Sequence, residues 1–537
     1  MELPITRFPL NVMEELHNLK RLSKPLSLNT RIMEPDNSMN RRKFIGTAVA
    51  TAATITVVPR HVLGGPGYVA PSDKIVVAQV GCGTQGLREM AQLLQNPDLQ
   101  LVAVCDVNRF TTDYLDWSPD GLWDSIRRTV EDPDWGKNFK GIAGGRDIGK
   151  EYVERYYGKN SASGTYTGCR SYEDYRELLE KEPDVDAVKI MTPDHHHAYL
   201  AISAMKKGKH VITHKPIANR MSEGRLAIET AKKSNVKTHL LAWSARPEHG
   251  LIKKWIQDGV IGDLKEIHNW SYRPVWEQWP TRPKETRPIP DGFNWELWLG
   301  PVPDMPYHPF YTHNRFRGWY DFGGGSIADM GHYSLFPLFL TLGIDTPPVA
   351  AKAYGTTHRY VDGNTYKWVE NDCSFPLSSL IQIEFPEQKN LPAFDLFWYD
   401  GGMKPFIPDE LKEDKRDMPN EGMMFVGDNG KILAGFNGED PEIIPSRLMK
   451  AYQGEKELPE RERGPRSNTW AAAIKNDEES PGSFRYAGTV TEAINLAAVA
   501  LRAGKKVEYD SESMRITNDE EANKYLTREY RKGWELI

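Results

Sequence analysis

The fold is decided by residues 74–106, which read KIVVAQVGCGTQGLREMAQLLQNPDLQLVAVCD. An apolar run leads directly into three spaced glycines and then into a helical pattern, which is the order strand, tight turn, helix. The first glycine permits the turn, the second lets a pyrophosphate approach the backbone, and the third lets the helix pack closely on the strand. The helix N-terminus then faces the phosphates. The cofactor-binding residues predicted here are Gly81, Gly83, Thr84, Gln85 and Gly86.

A second apolar run, residues 101–104, ends at a carboxylate. Asp106 follows Gly86 by twenty residues, where its side chain is placed to accept hydrogen bonds from an adenosine ribose. A 2′-phosphate would meet negative charge there, so NAD is favoured over NADP. A lone glycine pattern often marks an ordinary turn, but strand, glycines, helix, second strand and terminal Asp together are specific.

Size and composition indicate a globular protein of more than one domain. The chain has 537 residues, of which 39% are hydrophobic and 26% charged, and its formal net charge is -6. The length favours two domains with accessory segments. The acidic balance, with no basic stripe, argues against a nucleic-acid binder. Four cysteines without a Cys-x-x-Cys pair indicate neither a zinc ribbon nor a disulfide scaffold.

Residues 1–72 are predicted to be an N-terminal extension with an export signal and a linker. Arg41 and Arg42 precede a modest apolar run that ends at Val58, which is the arrangement of a twin-arginine signal. A basic helix start is the plainer alternative. The run is too short for a stable membrane span, and Met39 is a conventional signal start. We therefore expect periplasmic or other export of the folded protein by the twin-arginine machinery.

The chain beyond the first unit alternates helices and strands up to about residue 243. Residues 111–170 are rich in Asp, Gly, Trp and Lys and are predicted to be an insertion. The later helices are predicted at 172–181, 197–207 and 223–234, and the later strands at 187–191, 210–213 and 237–243. This order predicts a Rossmann domain over residues 73–243, with a doubly wound parallel sheet.

Residues 244–537 change in periodicity and are predicted to form an α+β domain with a mostly antiparallel, open sheet. Its clearest strands are predicted at 349–354, 380–385 and 393–398, and an apolar helix at 489–501. The basic tail, residues 525–532, is predicted to be a solvated helix face. We expect this domain to bind substrate and to provide the contacts of a homo-oligomer, if one forms.

Residues 270–320 combine many aromatic side chains with prolines, which predict loops. The aromatic side chains either anchor these loops or present flat apolar faces to a sugar ring. Both interpretations are open at this point. The residues are Trp270, Tyr272, Trp276, Trp279, Trp295, Trp298, Tyr307, Tyr311, Trp319 and Tyr320.

Four motifs, in this order, resemble the Gfo/Idh/MocA oxidoreductases, and in particular their exported, twin-arginine-bearing members. The resemblance covers about residues 73–345 by motif, and residues 482–536 are similar to the C-terminal segment of the exported type. It implies a Rossmann domain joined to an α/β domain whose open sheet covers the nicotinamide, with sugars, polyols or their derivatives as substrates. The motifs are the glycine fingerprint, residues 192–197 (TPDHHH), residues 214–216 (HKP) and residues 323–332 (GGGSIADMGH).

The resemblance also implies roles for residues of the second and third motifs. Lys215 matches the lysine of the family's Glu-Lys-Pro motif, near the nicotinamide and the substrate, with His214 in place of Glu. A lysine that closes an apolar strand is placed to polarise a hydroxyl or carbonyl, and partial burial lowers its pKa. Pro193, Asp194 and His197 match the family's Pro-Asn-x-x-His loop beside the cofactor, with Asp194 in place of Asn.

The fourth motif matches the family's Asp-x-Gly-x-His element from Asp329 onwards. Tyr333 stands at the place of the histidine, and His332 lies one residue earlier. Either group is a candidate proton carrier, and Asp329 is placed to orient it or to bind a sugar hydroxyl. Packing in the core is the alternative for His332, and His313 is an additional candidate. No metal site is predicted at the three consecutive histidines, because adjacent side chains point in different directions.

These residues lead to the hypothesis of an exported NAD(P)-dependent oxidoreductase, which moves hydride to or from a secondary hydroxyl or ketone of a sugar or glycoside. Because free NAD is scarce outside the cytoplasm, we expect a tightly bound cofactor that is recycled within each turnover. One alternative is an NAD-dependent glycosidase that acts by transient oxidation and elimination, with the same proton-transfer groups. The other is a non-catalytic ligand-binding protein.

Overall fold

The computed structural model describes residues 71–116, 118, 120–161, 163–454 and 466–536. The predicted twin-arginine motif and the rest of the extension up to residue 70 lie outside these residues. Among the described helices, none combines the length and the apolar character that crossing a bilayer requires.

The first domain alternates strands and helices. Its strands are β1 (Ile75–Val80), β2 (Leu99–Cys105), β3 (Thr111–Tyr114), β4 (Ile142–Gly144), β5 (Arg170–Tyr172), β6 (Ala187–Ile190), β7 (His210–Thr213) and β8 (Thr238–Leu240). Its helices are α1 (Thr84–Gln95), α2 (Gly121–Val130), α3 (Arg146–Lys159), α4 (Tyr175–Lys181), α5 (Asp194–Lys206) and α6 (Met221–Lys233), after a single turn at Pro71–Asp73.

Six of these strands form a parallel sheet in the order β5-β2-β1-β6-β7-β8. The chain winds outwards from β1 to one edge and then from β6 to the other, so the strand order reverses between β1 and β6. Ligands of doubly wound sheets bind at this switch point, outside the carboxyl ends of the strands. The prediction of a Rossmann domain is confirmed.

The predicted insertion at residues 111–170 contains part of the Rossmann winding. β3 and β4 pair as a separate antiparallel hairpin, but α3 is the crossover helix between β2 and β5, and it contacts both strands. Its buried side chains include Tyr152 and Val153. Helix α3 contains few apolar residues among many charged ones. A helical period of apolar residues is therefore hard to recognise, and the sequence did not predict this crossover helix.

The second domain contains a nine-stranded sheet in the order β17-β16-β15-β9-β14-β13-β10-β18-β19. β9 and β14 pair in parallel and the other neighbours antiparallel, as predicted. The strands are β9 (Leu264–Trp270), β10 (Ala350–Gly355), β13 (Ser379–Phe385), β14 (Phe394–Tyr399), β15 (Gly422–Gly427), β16 (Lys431–Ala434), β17 (Glu442–Ile444), β18 (Val507–Asp510) and β19 (Arg515–Ile516), with a separate hairpin of β11 (His358–Asp362) and β12 (Thr365–Val369).

Helices of the second domain pack on both faces of this sheet, and some return to the first domain. They are α7 (Pro247–Gln257), α8 (Trp295–Leu299), α9 (His332–Leu342), α10 (Asp409–Glu413), α11 (Ser446–Ala451), α12 (Arg466–Asn476) and α13 (Gly488–Ala503). Shorter turns lie at His313–Gly318, Ile327–Gly331, Phe484–Tyr486 and Glu520–Tyr525.

The two sheets share one hydrophobic core, because α13 contacts α6 of the first domain and both β10 and β13 of the second sheet. Residues 466–486 also return to the first domain. Trp470 belongs to the core cluster around α1, and the Leu240 amide donates to the Gly482 carbonyl at 2.7 Å. The predicted boundary at 243/244 therefore separates the two sheets, but the polypeptide crosses back over it.

The prediction of a solvated helix face for the basic tail is wrong. Arg528 and Glu223 form an ion pair at 2.5 Å, with side chains only 5% and 3% exposed. The two residues are 305 positions apart, and no local pattern shows that they meet. The tail is therefore held to the start of α6 by a buried charge pair.

Glu223→Gln is expected to lower the free energy of unfolding by about 3–5 kcal/mol, because it leaves the buried Arg528 guanidinium without a compensating charge. Urea unfolding followed by tryptophan fluorescence measures this. Glu296→Gln is the matched control, because it breaks another ion pair of the same tail, the one with Arg531. Glu296 is 73% exposed, so its substitution is expected to change the free energy of unfolding by less than about 1 kcal/mol. Equal effects of the two substitutions would contradict the prediction.

Candidate active site

The glycine turn after β1 lies at the switch point of the sheet. Gly81 has a φ of 101°, and a Cβ on it would collide with the carbonyl of Met191, which directly follows the neighbouring strand β6. A Cβ on Gly86 would collide with the carbonyl of Gly81. These two glycines therefore let the turn form and let α1 pack against it. Thr84 and Gln85 open α1 and line the adjoining cleft.

Gly83 faces an aromatic side chain that the sequence did not predict here. A Cβ on Gly83 would lie 3.0 Å from the ring of Tyr114, in the hairpin strand β3. The ring of His313 packs on Tyr114 with the centroids 4.1 Å apart. His313 thus packs beside the glycine turn, where the phosphates of the cofactor are predicted to bind.

Asp106 is held in a fixed orientation at the end of β2. Its Oδ2 accepts a hydrogen bond from the Cys82 amide at 2.6 Å, and its Oδ1 accepts one from the Asn108 amide at 2.8 Å. Burial raises the pKa of Asp106, although both amides oppose the shift. Glu173 and Asp174 line the same end of the cleft, so several carboxyl groups face the place where a 2′-phosphate would lie.

Asp106→Ala is expected to weaken NAD binding roughly tenfold to hundredfold, the equivalent of about 1.5–3 kcal/mol for hydrogen bonds to a charged group. NADP binding should be affected much less, so the preference for NAD should shrink. Calorimetric titration with both nucleotides measures the ratio. Asp98→Ala, just before the opposite end of the same strand, is the control. Tighter binding of NADP than of NAD by the unchanged protein would refute the ribose assignment.

A cleft extends from the glycine turn across the switch point. The glycine turn, the helix N-terminus and the carboxylate of Asp106 all border it, so the residues present fit NAD. Its other walls come from the aromatic loops and the C-terminal tail, through Phe293, Leu297, Trp298, Phe316 and Trp534.

Most of the aromatic residues of 270–320 anchor loops. A buried cluster contains Trp295, Trp298, Tyr307, Tyr311 and Trp319. Trp298 also lines the cleft, so it serves both interpretations. Trp270 lies in strand β9 and not in a loop.

Lys215 and Asp329 form a buried ion pair between the two domains. The ammonium of Lys215 contacts Asp329 Oδ1, which also accepts a hydrogen bond from Arg317 Nε at 3.1 Å. Burial lowers the pKa of Lys215 against the opposing attraction of Asp329. Burial raises the pKa of Asp329, but the two cations outweigh it and the net shift is downwards. The carboxylate therefore stays ionised and balances the lysine.

Tyr333 belongs to the same group of side chains. Its hydroxyl shares a hydrogen bond with His214 Nε2 at 2.9 Å, and Lys215 Nζ lies 4.7 Å from the centroid of its ring. His214 and Arg317 line the cleft, whereas Lys215 is 3% exposed. Two residues of the cleft wall thus contact the buried group directly: His214 contacts Tyr333, and Arg317 contacts Asp329.

His332 lies apart from the cleft, with no exposed surface. Its Nδ1 donates to the Ala328 carbonyl at 3.0 Å, and its Nε2 has no partner among the described residues. Burial lowers the pKa of His332 to about 3, so the ring is neutral at physiological pH. The geometry favours Tyr333 over His332 as the proton carrier, and this assignment stays a prediction.

The three consecutive histidines bind backbone carbonyls. His195 and His196 both donate from Nε2 to the Trp298 carbonyl, at 2.9 and 2.7 Å. His197 lies between the carbonyls of Thr192 and Pro216, at 2.8 and 2.5 Å, so it ties the Pro193 loop to the Lys215 loop. Their ring nitrogens thus form hydrogen bonds with the backbone. Among the described residues, no group of three or more His, Cys, Asp or Glu side chains is arranged to hold a metal ion.

Asp194 begins α5 and is buried near the Lys215 pair. Its Oδ2 accepts a hydrogen bond from the Gly324 amide at 3.1 Å. Burial raises the pKa of Asp194 to about 7, while Arg317 and Lys215 oppose the shift. It orients the glycine-rich turn that precedes Asp329, and Pro193, next to it, lines the cleft.

The sequence reasoning missed Arg317, which lines the cleft and binds Asp329. Nothing in the sequence marks it, because it lies in a short helical turn of the aromatic segment, twelve residues before its partner. The sequence showed His214 only as a departure from the Glu-Lys-Pro motif. Its hydrogen bond with Tyr333 could not be predicted.

Two family models match the chain. The model described as an oxidoreductase family with an NAD-binding Rossmann fold matches residues 153–241. The model described as the C-terminal alpha/beta domain of the same oxidoreductase family matches residues 249–372 and 397–536. Together they cover more than half of the chain, and the prediction of NAD as the cofactor is confirmed by the first.

Among curated relatives, levoglucosan dehydrogenase of Pseudarthrobacter phenanthrenivorans is 32% identical over 143 residues, which cover 26% of this chain and 33% of that protein. The α-N-acetylgalactosaminidase of Shewanella oneidensis is 26% identical over 244 residues, covering 42% and 45%. The chain thus spans a third to a half of the length of these relatives.

Solved structures with a similar arrangement include the WlbA dehydrogenase of Bordetella pertussis in complex with NADH and UDP-GlcNAcA, with a TM-score of 0.47 and 15% identity over 81% of this chain and 99% of that one. The aldose-aldose oxidoreductase of Caulobacter crescentus, complexed with glycerol, has a TM-score of 0.42 and 17% identity over 81% and 99%.

Proposed function

Since the chain belongs to the Gfo/Idh/MocA family of oxidoreductases, we propose that it is an exported NAD-dependent enzyme that transfers hydride to or from a secondary hydroxyl or ketone of a sugar or glycoside. The observation that supports this most directly is the buried Lys215–Asp329 pair with Tyr333, next to the cleft wall formed by His214 and Arg317.

Bound NAD supplies the acceptor or donor of the hydride. The protein has to position the carbinol carbon and to move the hydroxyl proton. The Tyr333 hydroxyl is the group proposed to exchange that proton, with His214 Nε2 as its hydrogen-bond partner. The positive charge of Lys215 stabilises the oxygen as it loses its proton, and Asp329 keeps the lysine charged and in place.

The first experiment is to denature the purified protein and to measure NAD(H) in the supernatant, followed by incubation with a panel of sugars and sugar glycosides. Accumulation of a keto-sugar with an equal amount of NADH is the expected result for a dehydrogenase. A protein that releases no nucleotide and binds none when NAD is added would be a ligand-binding protein, and the enzymatic proposal would be abandoned.

A glycosidase that uses NAD within each turnover is the second candidate, and the similarity to the α-N-acetylgalactosaminidase favours it. Transient oxidation acidifies the neighbouring C–H, elimination breaks the glycosidic bond, and reduction restores the sugar. Incubation of a nitrophenyl glycoside in D₂O separates the two candidates. The glycosidase is identified if nitrophenol is released, the sugar carries deuterium on the carbon next to the oxidised one, and no net NADH forms. Release of nitrophenol without deuterium in the sugar excludes this mechanism.

Tight retention of NAD is part of the proposal. Trp534 of the C-terminal tail lines the cleft beside Tyr175, and the Arg176 guanidinium lies 4.7 Å from its ring centroid. The tail thus covers the side of the cleft that adjoins Glu173 and Asp174. NAD that survives repeated gel filtration supports this retention, and free exchange with labelled NAD within seconds contradicts it.

The export proposal rests on Arg41 and Arg42 ahead of a short apolar run. Replacing both arginines by lysine is expected to leave the protein in the cytoplasm. Unchanged recovery from the periplasm would count against twin-arginine export.

A homo-oligomer is also proposed. The β11–β12 hairpin exposes Tyr366 and Trp368, at 81% and 64% of their surface, and exposed aromatic patches are typical of contact surfaces. Light scattering on the purified protein tests this, and a monomeric mass would refute it.

A further inference from the structure

A second, smaller cavity lies where the start of α6, the C-terminal half of α13 and the turn at Gly323 meet. None of its lining residues lines the NAD cleft. The groups that face it include two arginines, Arg220 and Arg502, together with Tyr320 and Tyr525.

Arg220 is buried and poorly satisfied. It is 7% exposed, its Nη1 donates to the Asn219 carbonyl at 2.7 Å, and its Nε has no partner among the described residues. Burial lowers the pKa of Arg220 to about 9, and repulsion from Arg528 and Arg502 adds to the shift more than Glu223 and Asp321 offset it. The guanidinium therefore remains charged at neutral pH.

Arg502 reaches the cavity from α13 between two aromatic rings. Its guanidinium carbon lies 4.9 Å from the centroid of Tyr320 and 4.1 Å from that of Tyr525. Within the described part of the chain it makes no ion pair with a carboxylate. Burial lowers the pKa of Arg502 as well.

The nearby carboxylates are already paired with other arginines. Glu223 binds Arg528 at 2.5 Å, and Asp321 binds Arg282 at 2.6 Å. Two guanidinium charges thus face one small cavity without a matching anion. Buried charges are costly unless they are paired and hydrogen-bonded, so an anion bound between these two arginines would stabilise the folded state.

We propose that this cavity binds a small oxyanion, an inorganic phosphate, a sulfate or a small carboxylate, between Arg220 and Arg502. Guanidinium groups present planar pairs of donors that match the oxygens of these anions. The site is separate from the NAD cleft. It nevertheless adjoins the glycine-rich turn, because the Asn219 amide donates to the carbonyls of Asp321 and Gly323 at 3.3 and 3.2 Å, and the Gly324 amide binds Asp194.

The test is the thermal unfolding midpoint of the full chain, saturated with NAD, in sodium phosphate and in sodium chloride at equal ionic strength. Phosphate is expected to raise the midpoint saturably above that in chloride, by mass action on the folded state. The same measurement is repeated in sodium sulfate and in sodium acetate. A higher midpoint in sulfate but not in acetate identifies a site for tetrahedral anions, and a higher midpoint in acetate identifies a site for carboxylates.

Variants locate the effect. Arg502→Met is expected to abolish the difference between phosphate and chloride, whereas Arg447→Met, at a position with a 65% exposed side chain on α11, should keep it. Arg220→Met should act like Arg502→Met, and Arg502→Met serves alone if Arg220→Met does not fold. The proposal is overturned if none of the three anions raises the midpoint above that in chloride. It is also overturned if the rise persists in Arg502→Met, because the anion then binds elsewhere, for example at the glycine turn.

Discussion

Lys215→Met is expected to lower kcat by about 10² to 10⁴, the usual contribution of a group that assists proton transfer, while NAD remains bound. Methionine keeps the length of the side chain but not its charge. Asp329 keeps Arg317 as a partner at 3.1 Å, so the buried carboxylate is not left without compensation and the fold should survive. Steady-state kinetics with saturating substrate and NAD, together with NADH fluorescence for binding, measure the two effects.

The same assay separates the candidate proton carriers. Tyr333→Phe removes the hydroxyl that contacts His214 and is expected to remove one limb of the pH–rate profile. His332→Gln is the matched comparison on the neighbouring residue. Because His332 is buried away from the cleft, its substitution should leave the shape of the profile unchanged. Near-normal turnover of Lys215→Met would show that the roles implied by the family do not apply to this chain.

The free energy of unfolding is expected to fall by several kcal/mol between pH 7 and pH 5, on the order of 1.4 kcal/mol per pH unit for each uncompensated proton. Eight buried histidines have pKa values lowered by burial: His195, His196, His197, His214, His239, His249, His308 and His332. Their lowered folded-state pKa values stabilise the protein above about pH 6.5, and this stabilisation is lost as the pH falls towards the folded-state values.

Three carboxyl groups act in the opposite direction. Burial raises the pKa of Asp106 and raises the pKa of Asp194 and of Asp400 to about 7, so their contribution is present at low pH and is lost as the pH rises through the folded-state pKa values. Eight histidines outnumber three aspartates, and the net effect is loss of stability in acid. Since the total stability of a domain is about 5–15 kcal/mol, unfolding near pH 5 is expected.

Urea unfolding at pH 8, 7, 6 and 5 measures this dependence. His249→Gln is a useful variant, because His249 is buried away from the cleft and binds the Asn437 carbonyl at 2.9 Å, a contact that glutamine can preserve. It should reduce the slope by about 1.4 kcal/mol per pH unit. A urea midpoint that is constant from pH 7 to pH 5 would contradict the prediction.

The Rossmann unit could be predicted from the amino-acid sequence alone. Strand, glycines, helix and Asp106 lie within 33 residues, so their contacts are local and local patterns specify them. The collision that a side chain on Gly81 or Gly86 would cause explains why glycine is needed at these two positions. Strand-like runs within residues 349–398 likewise predicted a mostly antiparallel sheet. In such a sheet one face of each strand is commonly buried, so buried and more exposed residues alternate along the strand.

Which side chains meet at the cleft and in the core between the domains depends on the packing of distant segments. Lys215 and Asp329 are 114 positions apart, and the motifs that contain them do not show that Arg317 completes the group. The tail was misread because a basic run has the same local pattern whether it faces water or a buried Glu223. Contacts between distant segments depend on how the two sheets pack around α13, and local periodicity carries no information about that packing.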